Sequence, residues 1–178
     1  MPDPIRMPVD VSGWVEASLA RPTAAFLHHE LFWDQGFIVK LFDGPTPDQR
    51  SDFHINTSPE FFYQLRGDMF CRLREHGRVV DVTVKPGEMF VIPALVPHLN
   101  RRAPGSLGLV IHQQRQPGAK DAVAWYCDEC GHQLHRVDYD FEDLLAQLPP
   151  LVRAFLADDD KRTCGRCGWV MPPGRGRM

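Results

Sequence analysis

The feature that most constrains this chain is a pair of Cys-x-x-Cys-Gly motifs in its last third, at Cys127–Cys130 and Cys164–Cys167. Each motif can present two thiolates from one tight turn, and the following glycine lets backbone N–H groups face the sulfur atoms. Two such turns together form a tetrahedral four-thiolate site for zinc or iron, in which protein fills every coordination position. Disulfides are the alternative, but a disulfide framework usually spreads its cysteines along a short secreted chain. The motifs therefore predict a structural metal site that ties down the C-terminal part of the chain.

Composition and charge exclude several classes of protein. The chain has 178 residues and a formal net charge of −3, and its hydrophobic fraction of 43% is typical of a globular protein. This charge gives no basis for binding nucleic acid or an anionic membrane. The sequence has no apolar run of the ~20 residues that a membrane-spanning helix needs, and its start lacks the pattern of a secretory signal. We therefore expect a cytoplasmic protein that binds neither nucleic acid nor membrane.

The middle of the chain predicts a mostly β fold. Short apolar segments separated by Gly, Pro and Asp turns recur at close spacing, as they do in sandwiches and barrels. The predicted strands cover residues 37–42, 60–65, 68–73, 78–84, 88–92 and 107–113. Helix signals lie on the flanks, at residues 11–19, 141–148 and 150–156, and Pro149 and Pro150 predict a break between the last two. We expect a barrel with its N-terminal helix over residues 1–124 and a metal-binding extension, packed on the barrel, over residues 125–178.

Three candidate metal ligands are spaced along this β region. His54 lies six residues before Glu60, Gly67 follows seven residues after Glu60, and His98 lies further along after a proline. The pattern resembles the two-motif signature of cupins, which are double-sheet (jelly-roll) β-barrels. In that family the first motif supplies two histidines and a glutamate and the second supplies a third histidine, but Asn56 stands where the second histidine falls. Two histidines and one carboxylate with open positions are the ligand set of non-haem Fe(II) oxygenases. A cupin without metal is the alternative.

Two arginines flank these ligands. Arg50 lies four residues before His54, and Arg102 lies four residues after His98. Arginine is well shaped to bind a carboxylate through two parallel hydrogen bonds. Either arginine alone is more often a surface cation, but two of them beside two ligands favour a site for a substrate carboxylate.

With these segments the sequence resembles the bacterial 3-hydroxyanthranilate 3,4-dioxygenase family. The resemblance implies that His54, Glu60 and His98 bind a catalytic Fe(II) and that Arg50 and Arg102 bind the substrate carboxylate. It also implies a homodimer, and a second, rubredoxin-like metal, iron or zinc, on the four cysteines. The implied activity is extradiol cleavage, in which O₂ opens an ortho-aminophenol carboxylate to a muconate semialdehyde. The resemblance extends from about residue 11 to residue 172 and is carried by residues 50–54, 60–67, 97–98, 125–132, 148–151 and 160–162.

Two positions depart from the family pattern. His112 stands where the family has a catalytic glutamate on the last barrel strand, and His28 stands where it has an asparagine that contributes to substrate binding. A histidine supplies no fixed negative charge, although its pKa suits proton transfer. His112 is therefore either an acid–base and substrate-orienting residue or a structural residue of its strand.

Three other functions stay open alongside cleavage of 3-hydroxyanthranilate or a close analogue. A paralogue with a reshaped pocket would cleave a different aminophenol or catechol carboxylate. Another metal-dependent cupin would yield an isomerised or hydrolysed product. A non-catalytic cupin would bind an aromatic acid without turnover.

Overall fold

The computed structural model describes residues 8–20, 28–34, 36–46, 50–141 and 144–173. These residues form three helices and eleven strands. In chain order the elements are α1 (Val11–Leu19), β1 (His28–Asp34), β2 (Phe37–Asp43), β3 (Phe53–Ile55), β4 (Glu60–Arg66), β5 (Met69–Glu75), β6 (Arg78–Val84), β7 (Met89–Ile92), β8 (His98–Arg102), β9 (Leu107–Gln113), β10 (Lys120–Tyr126), β11 (Gln133–Asp140), α2 (Leu144–Leu156) and α3 (Asp159–Arg162).

The strands form two antiparallel sheets. One has the order β1-β2-β9-β4-β7 and the other the order β11-β10-β3-β8-β5-β6. Buried side chains from both sheets pack against each other in one core cluster: Phe62, Met69, Cys71, Val84, Ile92 and Val110. Because side chains alternate between the faces of a strand, the buried positions of each sheet point toward the other sheet. This arrangement confirms the predicted double-sheet barrel.

The six predicted strands are confirmed within a few residues, but five strands were not predicted. Two of these, β3 and β8, carry the candidate metal ligands His54 and His98. Strand β3 has only three residues, which is too short to show an alternating pattern. Strand β8 has polar side chains at its inward positions, which are His98, Asn100 and Arg102, so it lacks an alternating apolar pattern. Both are strands because their neighbours pair with them: His54 lies opposite His98, and β8 also pairs with β5.

The prediction of two helices separated at the proline pair is wrong. Helix α2 runs without interruption through Pro149 and Pro150, although each proline removes one intrahelical hydrogen bond. The apolar face of α2 packs on the barrel, where the Phe155 ring stacks on fully buried Trp125 with centroids 4.2 Å apart. Burial of Leu148 and Val152 on the same face stabilises one continuous helix despite the local preference for a break.

The predicted domain boundary between residues 124 and 125 falls inside β10. Strand β11, from the predicted extension, pairs along the whole of β10, and the two predicted units therefore share one sheet. No helix in the described ranges is long and apolar enough to cross a membrane.

Candidate metal centre and binding cavity

A cavity opens between the two sheets, and the predicted site residues from β3, β4, β8 and β9 line it. Helix α2 covers part of it, so the C-terminal region also shapes the site. The lining residues are Phe42, Thr46, Arg50, His54, Glu60, Phe62, His98, Asn100, Arg102, Val110, His112, Leu148 and Pro149.

Glu60 lies between two histidines, His112 from the neighbouring strand β9 and His98 from β8 of the opposite sheet. Its Oε2 is 3.0 Å from Nε2 of His98, and its Oε1 is 2.9 Å from Nδ1 of His112. The contact with His112 follows from the register, because Glu60 on β4 lies directly opposite His112 on β9. All three side chains are more than nine-tenths buried. Burial by itself raises the pKa of Glu60, but the positive charges and hydrogen bonds of His112 and His98 in their protonated forms outweigh it and hold the pKa well below its usual range.

The contact between Glu60 and His98 has the geometry of two ligands of one cation. Nδ1 of His98 lies 2.9 Å from the backbone carbonyl oxygen of Val96, which can only accept, so Nδ1 carries the ring proton. In the neutral ring, which is the form that binds metals, the Nε2 lone pair then faces a carboxylate oxygen that is also an acceptor. Two ligands each about 2.1 Å from a metal and at a right angle to each other lie about 3.0 Å apart, which matches the observed separation. Glu60 and His98 therefore fit a shared metal ion.

His54 lies beside this pair but faces Arg50 and Asp52. The His54 and His98 ring centroids are 6.0 Å apart. Nε2 of His54 is in close contact with the Arg50 guanidinium and lies 3.2 Å from Oδ2 of Asp52. Burial and the positive charge of Arg50 lower the pKa of His54, which favours the neutral ring that binds metals.

Asp52 organises this side of the cavity. It is fully buried, and its Oδ2 accepts a hydrogen bond of 3.0 Å from Nε of Arg50. Burial alone raises the pKa of Asp52, but Arg50 and His54 together lower it to about 2. The ionised side chain of Asp52 therefore fixes the guanidinium group of Arg50, which is one of the two arginines predicted to bind a substrate carboxylate.

The second arginine, Arg102, is held by a different set of contacts. Its Nη1 donates to Oε1 of Gln64 at 3.1 Å, and its backbone N–H donates to Oγ1 of Thr46 at 3.0 Å. Burial lowers the pKa of Arg102 to about 10, so the guanidinium is still charged at neutral pH. Gly108 makes room for this pair, because a Cβ at position 108 would lie 2.5 Å from Gln64 Oε1 and 2.7 Å from Arg102 Nη1.

The four cysteines form a second candidate metal site away from the cavity. The Sγ atoms of Cys127, Cys130, Cys164 and Cys167 all lie within 4.8 Å of one another. The separations between Cys127 and Cys167 and between Cys130 and Cys164 are 3.5 Å. A tetrahedral site with metal–sulfur bonds of about 2.3 Å has sulfur–sulfur edges of about 3.8 Å, so the cluster fits zinc or iron. In the described part of the chain this is the one group of three or more His, Cys, Asp or Glu residues that meets this distance limit.

The two cysteine turns have matching backbone hydrogen bonds. Gly131 N–H donates to the carbonyl of Cys127, and Gly168 N–H donates to the carbonyl of Cys164. Both glycines have positive φ, +71° and +78°, which explains the glycine in each motif. Arg74 of β5 connects the first turn to the barrel: it donates to the carbonyl of Gly131 at 2.7 Å.

The structure thus brings Glu60, His98 and His112 together and places Arg50, His54 and Arg102 on the same cavity. His28 lies in β1, but its side chain is outside the described residues, so its predicted role is not addressed. Three contributors were missed: Asp52, Gln64 and Gly108. A glycine inside a strand often marks close approach by another group, and that was the available signal for Gly108.

Comparisons with known proteins agree with the sequence resemblance. The model of the 3-hydroxyanthranilic acid dioxygenase family matches residues 5–156. A protein named 3-hydroxyanthranilate 3,4-dioxygenase from Xanthomonas campestris pv. campestris is 35% identical over 93% of this chain and 92% of its own length. The protein of the same name from Paraburkholderia phytofirmans is 39% identical over 93% of this chain and 94% of its own length. Among solved structures, a cupin-2 domain containing protein from Shewanella frigidimarina matches with a TM-score of 0.46 and 18% identity, over 59% of this chain and 95% of that one.

Proposed function

The chain belongs to the 3-hydroxyanthranilic acid dioxygenase family, and from this membership we propose that it is a non-haem Fe(II) dioxygenase that cleaves the ring of 3-hydroxyanthranilate or a close analogue. The observation that carries the proposal is the facing pair of Glu60 Oε2 and His98 Nε2, 3.0 Å apart in a cavity that two buried arginines also line. His54, which lies opposite His98 on the neighbouring strand β3, is the proposed third ligand.

The proposed ligands are matched to the charge of the metal and of the substrate. Fe(II) bound in this cavity supplies a site where O₂ and an aromatic substrate react together. Glu60 is ionised, so it offsets one of the two positive charges of the metal, and the two histidines add none. The phenolate of an ortho-aminophenol would offset the second positive charge of the metal. This charge balance favours a substrate that has an acidic hydroxyl group.

Arg50 and Arg102 are the proposed carboxylate-binding residues. Each is less than a tenth exposed, and each is held from behind by an acceptor, Asp52 or Gln64. Fixing both guanidinium groups in advance lowers the entropy cost of binding a carboxylate. The arginines also determine which way the ring lies, because the carboxylate and the metal-binding oxygen must be satisfied at the same time.

A second copy of the chain is the proposed partner. The outer face of the five-stranded sheet is apolar over four adjacent strands, where an exposed antiparallel sheet is normally polar. Met89 is 67% exposed and Val91 50% exposed. The outward side chains of this face are Phe37, Val39, Phe61, Tyr63, Met89, Val91, Leu109 and Ile111. The family resemblance implies a homodimer, and we propose that it forms through this face, which removes the apolar side chains from water. We place the protein in the cytoplasm, because free thiolates persist in a reducing compartment.

The test is O₂ uptake and ultraviolet absorbance after 3-hydroxyanthranilate is added to protein loaded with Fe(II) under anaerobic conditions. We expect one O₂ consumed per substrate and a rising semialdehyde absorbance. Arg102→Met is expected to raise KM about 10- to 100-fold, because it removes charge-assisted hydrogen bonds to the carboxylate. Arg72→Met is the matched control, since Arg72 is exposed and paired with Asp81 outside the cavity. Bound iron without O₂ uptake would refute the proposal, and uptake only with a catechol carboxylate would favour the paralogue.

A further inference from the structure

Arg74 of β5 holds both ends of the first cysteine turn. Its Nη2 donates a 2.7 Å hydrogen bond to the carbonyl of Gly131, the residue that follows Cys130. Its guanidinium carbon lies 4.1 Å from the centre of the Tyr126 ring, and Tyr126 directly precedes Cys127. The side chain therefore contacts the residues on either side of two proposed metal-binding cysteines.

The same arginine also contacts the neighbours of two proposed iron ligands. Its guanidinium carbon is 5.9 Å from the centre of the Phe53 ring, and Phe53 directly precedes His54. Its backbone N–H donates at 2.9 Å to the carbonyl of Pro97, which directly precedes His98. Arg74 thus lies between the cavity and the four-cysteine site.

The chemistry of arginine suits this position. A planar guanidinium can lie on an aromatic ring and donate a hydrogen bond in its own plane at the same time. The Tyr126 and Phe53 rings meet edge to face with centroids 5.2 Å apart, so the two rings and the guanidinium pack as one unit. Gly131 allows the close approach, because a Cβ at this position would lie 2.8 Å from Nη2 of Arg74.

The charge of Arg74 is complementary to a loaded four-cysteine site. Among the described residues Arg74 makes no ion pair with a carboxylate, and burial lowers its pKa. Four thiolates outweigh the charge of a divalent metal ion, so the loaded site is negative. A guanidinium held beside the first cysteine turn offsets part of that charge.

Strand β3 is the element through which this contact can affect the cavity. It has only three residues, and it lies between β10 and β8 with Phe53 opposite Ala124 and His54 opposite His98. Because the strand is so short, the packing of its side chains contributes much of what holds it in place. A metal ligand must be positioned to within about 0.2 Å, so a small shift of β3 weakens metal binding by His54.

We propose that Arg74 is a positioning residue that couples the two metal sites. A metal ion on the four cysteines fixes the first turn, the turn fixes the guanidinium, and the guanidinium holds the Phe53 ring and with it the strand that carries His54. This inference rests on the proposed function, since it takes His54 and His98 to bind iron. Coupling between two sites is reciprocal, so iron in the cavity strengthens metal binding by the cysteines by the same factor.

The test is a thermodynamic cycle built from Arg74→Met, Cys164→Ser and the double variant. Cys164 lies in the second turn, so its substitution removes the metal ion without changing any residue that Arg74 contacts. Methionine can cover the two rings but lacks the charge and the donors. Arg72→Met is the matched control, because Arg72 lies on the same face of β5 but is exposed and paired with Asp81. Circular dichroism and thermal unfolding set a temperature at which every variant is folded.

The first readout is the Fe(II) affinity of the cavity, measured by anaerobic chelator competition without substrate. The wild type, Arg74→Met and Arg72→Met carry one zinc ion per chain on the cysteines. We expect Arg74→Met and Cys164→Ser each to bind iron about five- to tenfold more weakly than the wild type, and Arg72→Met to match it. The double variant is expected to be no weaker than either single variant, because both substitutions break the same connection.

The second readout needs no cysteine substitution. The affinity of the four cysteines for zinc is measured with and without Fe(II) in the cavity. We expect iron to raise this affinity about five- to tenfold in the wild type and to leave it unchanged in Arg74→Met.

Equal iron affinity in the wild type and Cys164→Ser would overturn the inference. Losses that multiply in the double variant would also overturn it, since a residue that only stabilised the fold would act independently of the cysteine site. Failure of the proposed function looks different: the wild type would keep its zinc and bind no iron in the cavity.

Discussion

Gly108→Ala is a sensitive test of how the part of the cavity around Arg102, which we propose binds the substrate carboxylate, is built. A methyl group at position 108 would lie 2.5 Å from Oε1 of Gln64 and 2.7 Å from Nη1 of Arg102. Both atoms must retreat by roughly 1 Å to reach ordinary contact distance. Gln64 is also anchored by hydrogen bonds from its Nε2 to the carbonyls of Arg66 and Gly67, so it cannot swing away freely. The Arg102 guanidinium is therefore displaced from its position in the cavity.

The expected cost appears in both stability and substrate binding. Overpacking of a buried site typically costs about 1–3 kcal/mol, which for a chain of this size lowers the midpoint of thermal unfolding by roughly 2–10 °C. A displacement of about 1 Å at a positioning group can reduce kcat/KM by up to about 100-fold. We expect a reduction of about 10- to 100-fold, mainly through KM, because the role proposed for Arg102 is to bind the carboxylate and not the reacting atoms.

The assays are calorimetry and steady-state O₂ uptake on Gly108→Ala and on a matched control, Gly165→Ala. Gly165 has no atom within 4 Å of an added Cβ and no positive φ, so its substitution tests the glycine-to-alanine change without a clash. Unchanged KM and unfolding midpoint in Gly108→Ala would refute the reasoning, because the Gln64–Arg102 pair would then not occupy the observed position. Equal losses in both variants would assign the effect to the backbone.

Three further predictions concern other parts of the molecule. Cys164→Ser is expected to lose one metal ion per chain, as measured by mass spectrometry, and to unfold more than about 5 °C lower than the wild type. Cys71→Ala is the control and is expected to keep that metal ion. Equal metal content in the two variants would contradict the four-cysteine site. Burial raises the pKa of Cys71 to about 12, so the stability from keeping this thiol protonated is complete below about pH 9 and is lost as the pH rises toward 12. Alkylation of Cys71 at pH 9 should be on the order of 100-fold slower in the folded than in the unfolded protein, and similar rates would disprove the burial argument. Met89→Glu is expected to give a monomer in light scattering, whereas Arg78→Glu on the other sheet retains the dimer; an unchanged mass for Met89→Glu would place the interface elsewhere.

The features that the sequence alone predicted are those encoded over a few neighbouring residues. The Cys-x-x-Cys-Gly turns need only their own backbone hydrogen bonds, and both form as expected. Strands such as β4 and β9 have alternating patterns that are visible locally, and both match the prediction. The spacing of His54, Glu60 and His98 is also a property of the sequence, and it was enough to propose them as metal ligands.

Tertiary structure alone decided which side chains meet. The contact between Glu60 and His112 depends on the register of β4 against β9, and the bond from Arg102 to Gln64 joins β8 to β4 across the barrel. Local sequence holds no information on such pairings, because the register follows from burying one face of each whole strand. The same reason explains α2: its proline pair locally favours a break, but the apolar surface that the helix buries on the barrel outweighs two lost hydrogen bonds. The residue types in the sequence thus indicated the class of chemistry. The side chains that hold those residues in position, such as Gln64 beside Arg102, come together only when the two sheets pack.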